Sequence, residues 1–252
     1  MTPPTVWIRR PEPLESARVR LVCLPHAGGA AEFFHGWTGL LAPGIEVAAA
    51  QYPGHGDRRA EPCLEQLADL VTAIATAVRP LADRPIALFG HSLGALVAYE
   101  VARLLEPSVQ LAHLFVSGRH APGEHVADDL HEQDDDALIR DVLRLGGTKP
   151  ELFSSPELRS FFLPAIRSGY RVGGTYTWSP GPEPSCPITA LRGADDPEVS
   201  YQQLERWAAH STGDFAVREF AGEHFYLTEA KSELITLISA SLQLAPVRGA
   251  QR

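Results

Sequence analysis

The sequence predicts an α/β fold: a mostly parallel central sheet, helices on both faces, and a helical insertion between two strands. Three observations predict it. From Val19 onward, short apolar runs alternate with amphipathic segments, the pattern of βα units. The turn Gly90-His91-Ser92-Leu93-Gly94 stands directly after one such run and directly before a helical segment. Residues 120–184 break the rhythm and read as helices without strands.

The first clear strand is Val19–Leu24, and residues 45–51 read as the second. Leu64, Leu67, Ala68, Val71, Ile74, Ala75 and Val78 recur at helical spacing and predict a helix with one apolar face. Residues 86–89 form the next strand, and a helix follows over Leu93–Leu105. Leu111–Ser117, residues 188–192 and Phe215–Phe220 complete the strands. A last helix covers about residues 226–244, with Leu227, Leu234, Ile235, Ile238 and Leu242 on its buried side. Inside the insertion, Asp134-Asp135-Asp136 reads as a helix start, where carboxylates meet the positive end of the macrodipole. A metal site is the poorer reading, because adjacent carboxylates on a helix fan apart. Gly146-Gly147 ends that helix, and residues 157–170 supply another. Both chain ends, at Pro3-Pro4 and from Pro246 to Arg252, read as loose.

The length of 252 residues suits one domain spanning 1–252. Hydrophobic residues make up 44% and charged residues 21%, an ordinary globular mix. A net charge of −9 argues against nucleic acid as a partner and against a polybasic membrane-surface role. Cys23, Cys63 and Cys186 are scattered, odd in number and without a CxxC pair, so neither a disulfide framework nor a zinc site is expected. The opening MTPPTVWIRRPEP has no long apolar stretch and no run is long enough to span a bilayer, which predicts a cytoplasmic protein.

The chemistry starts at Ser92. A GxSxG turn between strand and helix is a nucleophile elbow. The turn leaves no room for side chains beside the serine, which explains Gly90 and Gly94. It also aims the first helical amides at whatever the serine attacks. A serine hydroxyl needs a base. Of ten histidines, His224 is placed best: it lies after the final strand and before the final helix, on the same sheet edge as Ser92. His91 sits inside the elbow and points away from Ser92, and His26 shapes the pocket. His35, His113, His125, His131 and His210 read as ordinary surface or core residues. The base needs a carboxylate to fix its tautomer. Asp195 or Asp196, after the penultimate strand, can supply it; the chain order Ser, Asp, His is the one expected of an α/β-hydrolase. Developing negative charge on the acyl oxygen requires donors. The Leu93 amide is one, and the Ala27 amide, in the loop Pro25-His26-Ala27-Gly28-Gly29-Ala30, is the candidate for the other. No Walker sequence, GxGxxG or metal-ligand spacing occurs, so no cofactor is expected.

Taken together, the motifs resemble the type II thioesterases, the stand-alone editing enzymes of polyketide and nonribosomal peptide synthesis. The marks run along nearly the whole chain: residues 24–29, 52–58, 90–94, 145–147, 186–188, 193–197 and 222–227. In that family the aspartate follows the glycine by three positions, which selects Asp196, and the oxyanion amides fall on Ala27 and Leu93. The sequence departs from the family at His55, where arginine is frequent, at Gly169, where aspartate is frequent, and at Glu223, where glycine is frequent. The resemblance implies hydrolysis of acyl groups from the phosphopantetheine thiol of an acyl or peptidyl carrier protein; a monomer is expected. An esterase or lipase, an acyltransferase and a silent binding protein could share the same residues.

Two further expectations concern access. The 120–184 insertion is placed as a lid over the site, with Leu138, Val142, Phe153, Phe161, Phe162 and Tyr170 as its apolar side chains and Gly146-Gly147 and Gly173-Gly174 as hinges. With Gly28, Phe33 and Phe34 beside the oxyanion loop, it is expected to set acyl preference. Arg58, Arg59 and Arg119 follow strand ends on the catalytic edge and are candidates for docking a carrier.

Overall fold

The computed structural model describes residues 4–106, 108–124 and 128–243. The strands are β1 (Ile8–Arg9), β2 (Val19–Leu24), β3 (Ile45–Ala50), β4 (Ile86–His91), β5 (Leu111–Ser117), β6 (Ile188–Gly193) and β7 (Phe215–Phe220). The helices are α1 (Pro4–Trp7), α2 (Leu67–Val78), α3 (Leu93–Leu105), α4 (Asp135–Arg144), α5 (Pro156–Gly174), α6 (Tyr201–Glu205), α7 (Tyr226–Glu229) and α8 (Lys231–Gln243). One seven-stranded sheet runs in the order β1-β3-β2-β4-β5-β6-β7. Every pairing is parallel except that of β1 with β3.

The parallel strands carry helices on both faces, so β2, β3, β4 and β6 are buried at every position. One face is filled by α2 and α3 through Ile74, Val97 and Tyr99, with Trp207 from the 3-10 turn after α6. The other is filled by Phe34 and Trp37 of the 3-10 segment Ala31–Trp37 and by Leu234 and Ile238 of α8. The β5–β6 connection holds α4 and α5, which share a small core of Leu138, Ile139, Val142, Phe153, Leu163 and Ile166. Asp134 caps α4, accepting from the Ala137 amide at 2.7 Å. Asp135 and Asp136 reach across to Arg167 and Arg159 of α5 at 2.6 and 2.7 Å. The three aspartates therefore start one helix and tie it to the next.

Three sequence expectations shift. The last helix is two, α7 and α8, broken at Ala230. The second strand stops one residue early, although the Gln51 amide still donates to the Trp7 carbonyl at 2.8 Å; the Gln51 side chain ties the loops beyond, accepting from the Ala31 amide at 2.9 Å and donating to the His55 carbonyl at 2.7 Å. The two-residue β1 is too short to announce itself by pattern. Of the chain ends read as loose, Pro4 opens α1, whereas Pro3 and 246–252 lie outside the described residues, as does His125.

At the carboxyl edge of the sheet, α3 starts almost in contact with the end of β2. A Cβ on Gly94 would lie 2.1 Å from the Leu24 carbonyl oxygen, and one on Gly90 would lie 2.0 Å from the Gly94 oxygen. Both obstacles are backbone, which cannot swing aside. Gly94→Ala is therefore expected to cost about 3 kcal/mol, a fall of roughly 6–12 °C in melting temperature for a domain of this size. An unchanged melting curve would mean that the crossing is looser than it stands.

Candidate active site

Ser92 joins β4 to α3 with φ 55° and ψ −119°, and it is the one described residue other than glycine with positive φ. Such backbone costs of order 1–3 kcal/mol and survives only where surrounding structure imposes it. Here the imposition is visible. The Ser92 amide donates to the Ser117 carbonyl of β5 at 2.7 Å, its own carbonyl accepts from the Ala95 amide at 3.0 Å, and the two glycines leave no alternative path. The hydroxyl is thus lifted off the backbone at the head of a thirteen-residue helix.

His224 lies in the turn between β7 and α7. It is 1% exposed. Its Nδ1 lies 3.0 and 3.1 Å from the two oxygens of Asp196. A carboxylate only accepts, so Nδ1 carries the proton and Nε2 presents its lone pair. Nε2 is buried and has no hydrogen-bond partner. Asp196 is itself buried and is fixed by the Glu198 amide, which donates to Oδ1 at 2.8 Å. Asp195 is exposed, its amide spent on the Gly222 carbonyl at 3.0 Å. Of the two aspartates, Asp196 alone holds the histidine. Gly193 makes the approach possible: a Cβ there would lie 2.2 Å from the Glu223 carbonyl oxygen.

Two other histidines surround the base. His91 is fully buried, with Nδ1 3.0 Å from the Ser117 hydroxyl, which in turn meets the Tyr226 hydroxyl at 2.8 Å. Its ring stacks obliquely 4.8 Å from that of His224. His26 packs edge-on against Phe33 and Phe225. Burial pushes the His26 imidazole down to about 3 and that of His91 well below its ordinary value, with His224 adding to both effects. Both stay neutral at pH 7.

Ser92, Leu93, His26, Ala27, Gly28 and His224 all line one cavity of about 240 Å³. Its far wall is apolar and comes from the insertion: Val142, Leu152, Phe153, Phe162 and Ile166. Arg119, Asp128 and Glu198 add a charged margin. The helix α5 lies directly on the oxyanion loop. A Cβ on Gly169 would be 2.6 Å from the Ala27 Cβ and 3.3 Å from Leu93, and one on Gly28 would be 2.5 Å from Ile166. The absence of aspartate at Gly169 thus has a steric reason here.

Several sequence expectations need correction. Phe34 is fully buried under the sheet edge against Trp37 and Phe89, and Phe33 packs on His26; neither lines the cavity. Phe161 faces solvent at 50% exposure, whereas Phe162, its neighbour, faces in. Arg58 is buried, paired with Glu61 at 2.6 Å and donating to the Gln51 carbonyl at 2.9 Å, so it is not a surface cation. Gly173-Gly174 forms the end of α5, and Gly147 lies flat on the Phe225 ring. Phe225, Ile166 and Glu198 are site residues that sequence reading did not single out. The first stands beside His224 and was visible in principle; the other two depend on tertiary packing.

Comparison with known proteins agrees with this geometry. The family model for the thioesterase domain matches residues 19–242. The chain is 42% identical to the thioesterase PikA5 of Streptomyces venezuelae over 94% of its own length and 85% of that protein's. It is also 42% identical to a probable cadicidin biosynthesis thioesterase of Streptomyces griseus, where it covers 94% of its own length and 66% of the relative's. The structure of the type II thioesterase BorB from the borrelidin biosynthetic cluster superposes with a TM-score of 0.87 at 42% identity, covering 94% of this chain and 98% of that one. With the parallel sheet and the elbow, these matches place the chain in the thioesterase family of α/β-hydrolases, enzymes acting on thioester bonds.

Proposed function

We propose that this enzyme hydrolyses acyl groups from the phosphopantetheine thiol of acyl or peptidyl carrier proteins, clearing aberrant or stalled units in polyketide or nonribosomal peptide synthesis. The observation that carries the mechanism is the strained Ser92 sharing a cavity with a His224 whose Nδ1 is fixed by Asp196 and whose Nε2 is unspent. Ser92 Oγ attacks the thioester carbonyl as His224 Nε2 takes its proton. The carbonyl oxygen becomes an oxyanion, received by the Ala27 and Leu93 amides. Collapse breaks the C–S bond, and His224 returns the proton to the departing sulfur. With a thiol pKa near 8.5, the leaving group asks little of the acid. Water, deprotonated by the same Nε2, then releases the acyl group as a carboxylic acid and restores Ser92.

The insertion serves on this reading as a two-part cover. The helix α5 is the fixed part: it rests on Ala27 and Gly28, and the Ser168 hydroxyl donates to the Leu64 carbonyl at 2.8 Å. The helix α4 is the movable part. Its charged tie to the body is the Arg144–Glu198 pair at 2.5 Å, between half-exposed side chains, and exposed pairs hold weakly. The same proposal takes the enzyme to be a monomer of the cytoplasm; among the described residues no helix is long and apolar enough to cross a membrane.

Two outcomes are expected. In hydrolysis of acyl-loaded carrier followed by intact mass, Ser92→Ala should lose at least about 10³-fold in turnover. Asp196→Asn should approach a 10⁴-fold loss, with Asp195→Asn close to wild type; the reverse ranking would remove Asp196 from its role. A wild type that spared carrier thioesters and cleaved alcohol esters would make it an esterase instead. In hydrogen exchange, amides of α4 should open well before those of α5, which should exchange like the sheet. Equal protection of both helices would mean that the cover does not divide.

A further inference from the structure

One face of α5 is unlike the rest of the surface. Among the described residues the exposed large apolar side chains are Leu40, Leu104, Leu158, Phe161 and Tyr201. Leu158 and Phe161 stand one helical turn apart on α5, 36% and 50% exposed. Over the Phe161 ring lies the exposed guanidinium of Arg59, 4.8 Å from its centroid. The cations nearby are already committed: Arg58 to Glu61, Arg159 to Asp136, Arg167 to Asp135 and Arg171 to Glu65. Arg59 is held by the aromatic face with no ion pair among the described residues. In a chain of net charge −9, this is a positive charge left over and held in place beside two bare apolar side chains. The patch also backs onto the site. Phe161 meets the Phe162 ring at 4.8 Å, and Phe162 lines the cavity that holds Ser92.

We infer that Leu158, Phe161 and Arg59 form the docking face for the carrier protein, receiving a surface that presents a carboxylate flanked by apolar side chains. The inference rests on the function proposed above, which supplies the class of partner. The charge argues for a partner of that kind. A pinned, unpaired guanidinium is completed by a carboxylate, and stacking on Phe161 lets it serve as a low-entropy anchor. A second copy of the chain is the poorer occupant, since patch-to-patch pairing about a twofold axis would bring two Arg59 side chains together. The apolar pair supplies the contact area and Arg59 the orientation. The carrier then sits against the outer side of the helix whose inner side lines the cavity, next to the route its acyl arm takes.

The test compares one acyl group on two scaffolds: a propionyl-loaded acyl carrier protein and propionyl-N-acetylcysteamine. Arg59→Glu and Phe161→Ser should each raise KM for the loaded carrier about tenfold and leave kcat/KM for the small thioester within about twofold. Arg218→Glu makes the same charge change on exposed surface of β7 and should alter neither substrate. Matching melting curves exclude misfolding. Equal losses on both scaffolds, or none on the carrier, would overturn the docking face while leaving the proposed function intact. A wild type that cleaved the small thioester but ignored loaded carriers would overturn both. A wild-type dimer dissociated by these same substitutions would assign the patch to self-association and overturn the inference.

Discussion

The site depends on a crossing that has no room in it. Where β4 gives way to α3, the backbone of Gly94 meets the carbonyl of Leu24, and the backbone of Gly90 meets that of Gly94. The only path through turns Ser92 to φ 55°. The strain costs about 1–3 kcal/mol. Packing of β4 between β2 and β5, each strand apolar and covered on both faces, offsets it. A hydroxyl pushed clear of the backbone, next to the open amides of α3 and the oxyanion loop, is the consequence. The same closeness recurs at Gly193 against the His224 loop and at Gly169 against Ala27. Three elements from distant parts of the chain are brought to one edge because small residues stand where they touch.

Electrostatics around the base is arranged by burial. Burial keeps His26 and His91, the two imidazoles packed near His224, neutral. Asp196 is placed by a backbone donor, the Glu198 amide, and the Glu198 side chain is tied in turn to Arg144 of α4. Arg144 also bonds Asp141, which accepts from the Tyr170 hydroxyl of α5. A continuous chain of polar contacts therefore runs from His224, through Asp196, to both helices of the insertion. The cavity beneath these helices has an apolar wall and, at its margin, Glu198, whose amide orients the Asp196 carboxylate.

Much of the fold was legible because its central strands are buried on both faces and so read as predominantly apolar runs; VRLVCL and LAHLFVS could be bounded to the residue in spite of Arg20 and His113. The elbow was legible because two glycines at fixed spacing mark it. The pairing of His224 with Asp196 rather than Asp195 was not decided by residue type, since both are aspartates in one turn; the family pattern pointed to the one the fold buries. What the sequence hid depends on direction of side chains. Phe33 and Phe34 look alike, yet one packs on His26 and the other into the core, and Phe161 and Phe162 differ in the same way. Arg58 looks like a surface cation until Glu61 and the Gln51 carbonyl are found around it. Ile166 and Glu198 reach the cavity only because α5 lies on Gly28 and because the loop after Pro197 turns back toward α4.

On the proposed mechanism Ser92 takes the acyl group from a thioester as a covalent ester. That step is tested most directly by mixing the enzyme with propionyl-loaded acyl carrier protein, quenching in acid within milliseconds, and mapping the modified peptide by mass spectrometry. A propionyl group is expected on the peptide containing Ser92, appearing as the carrier loses it and absent from Ser92→Ala. Turnover of the loaded carrier with no acyl group on Ser92 at any quench time, together with full activity of Ser92→Ala, would contradict the mechanism.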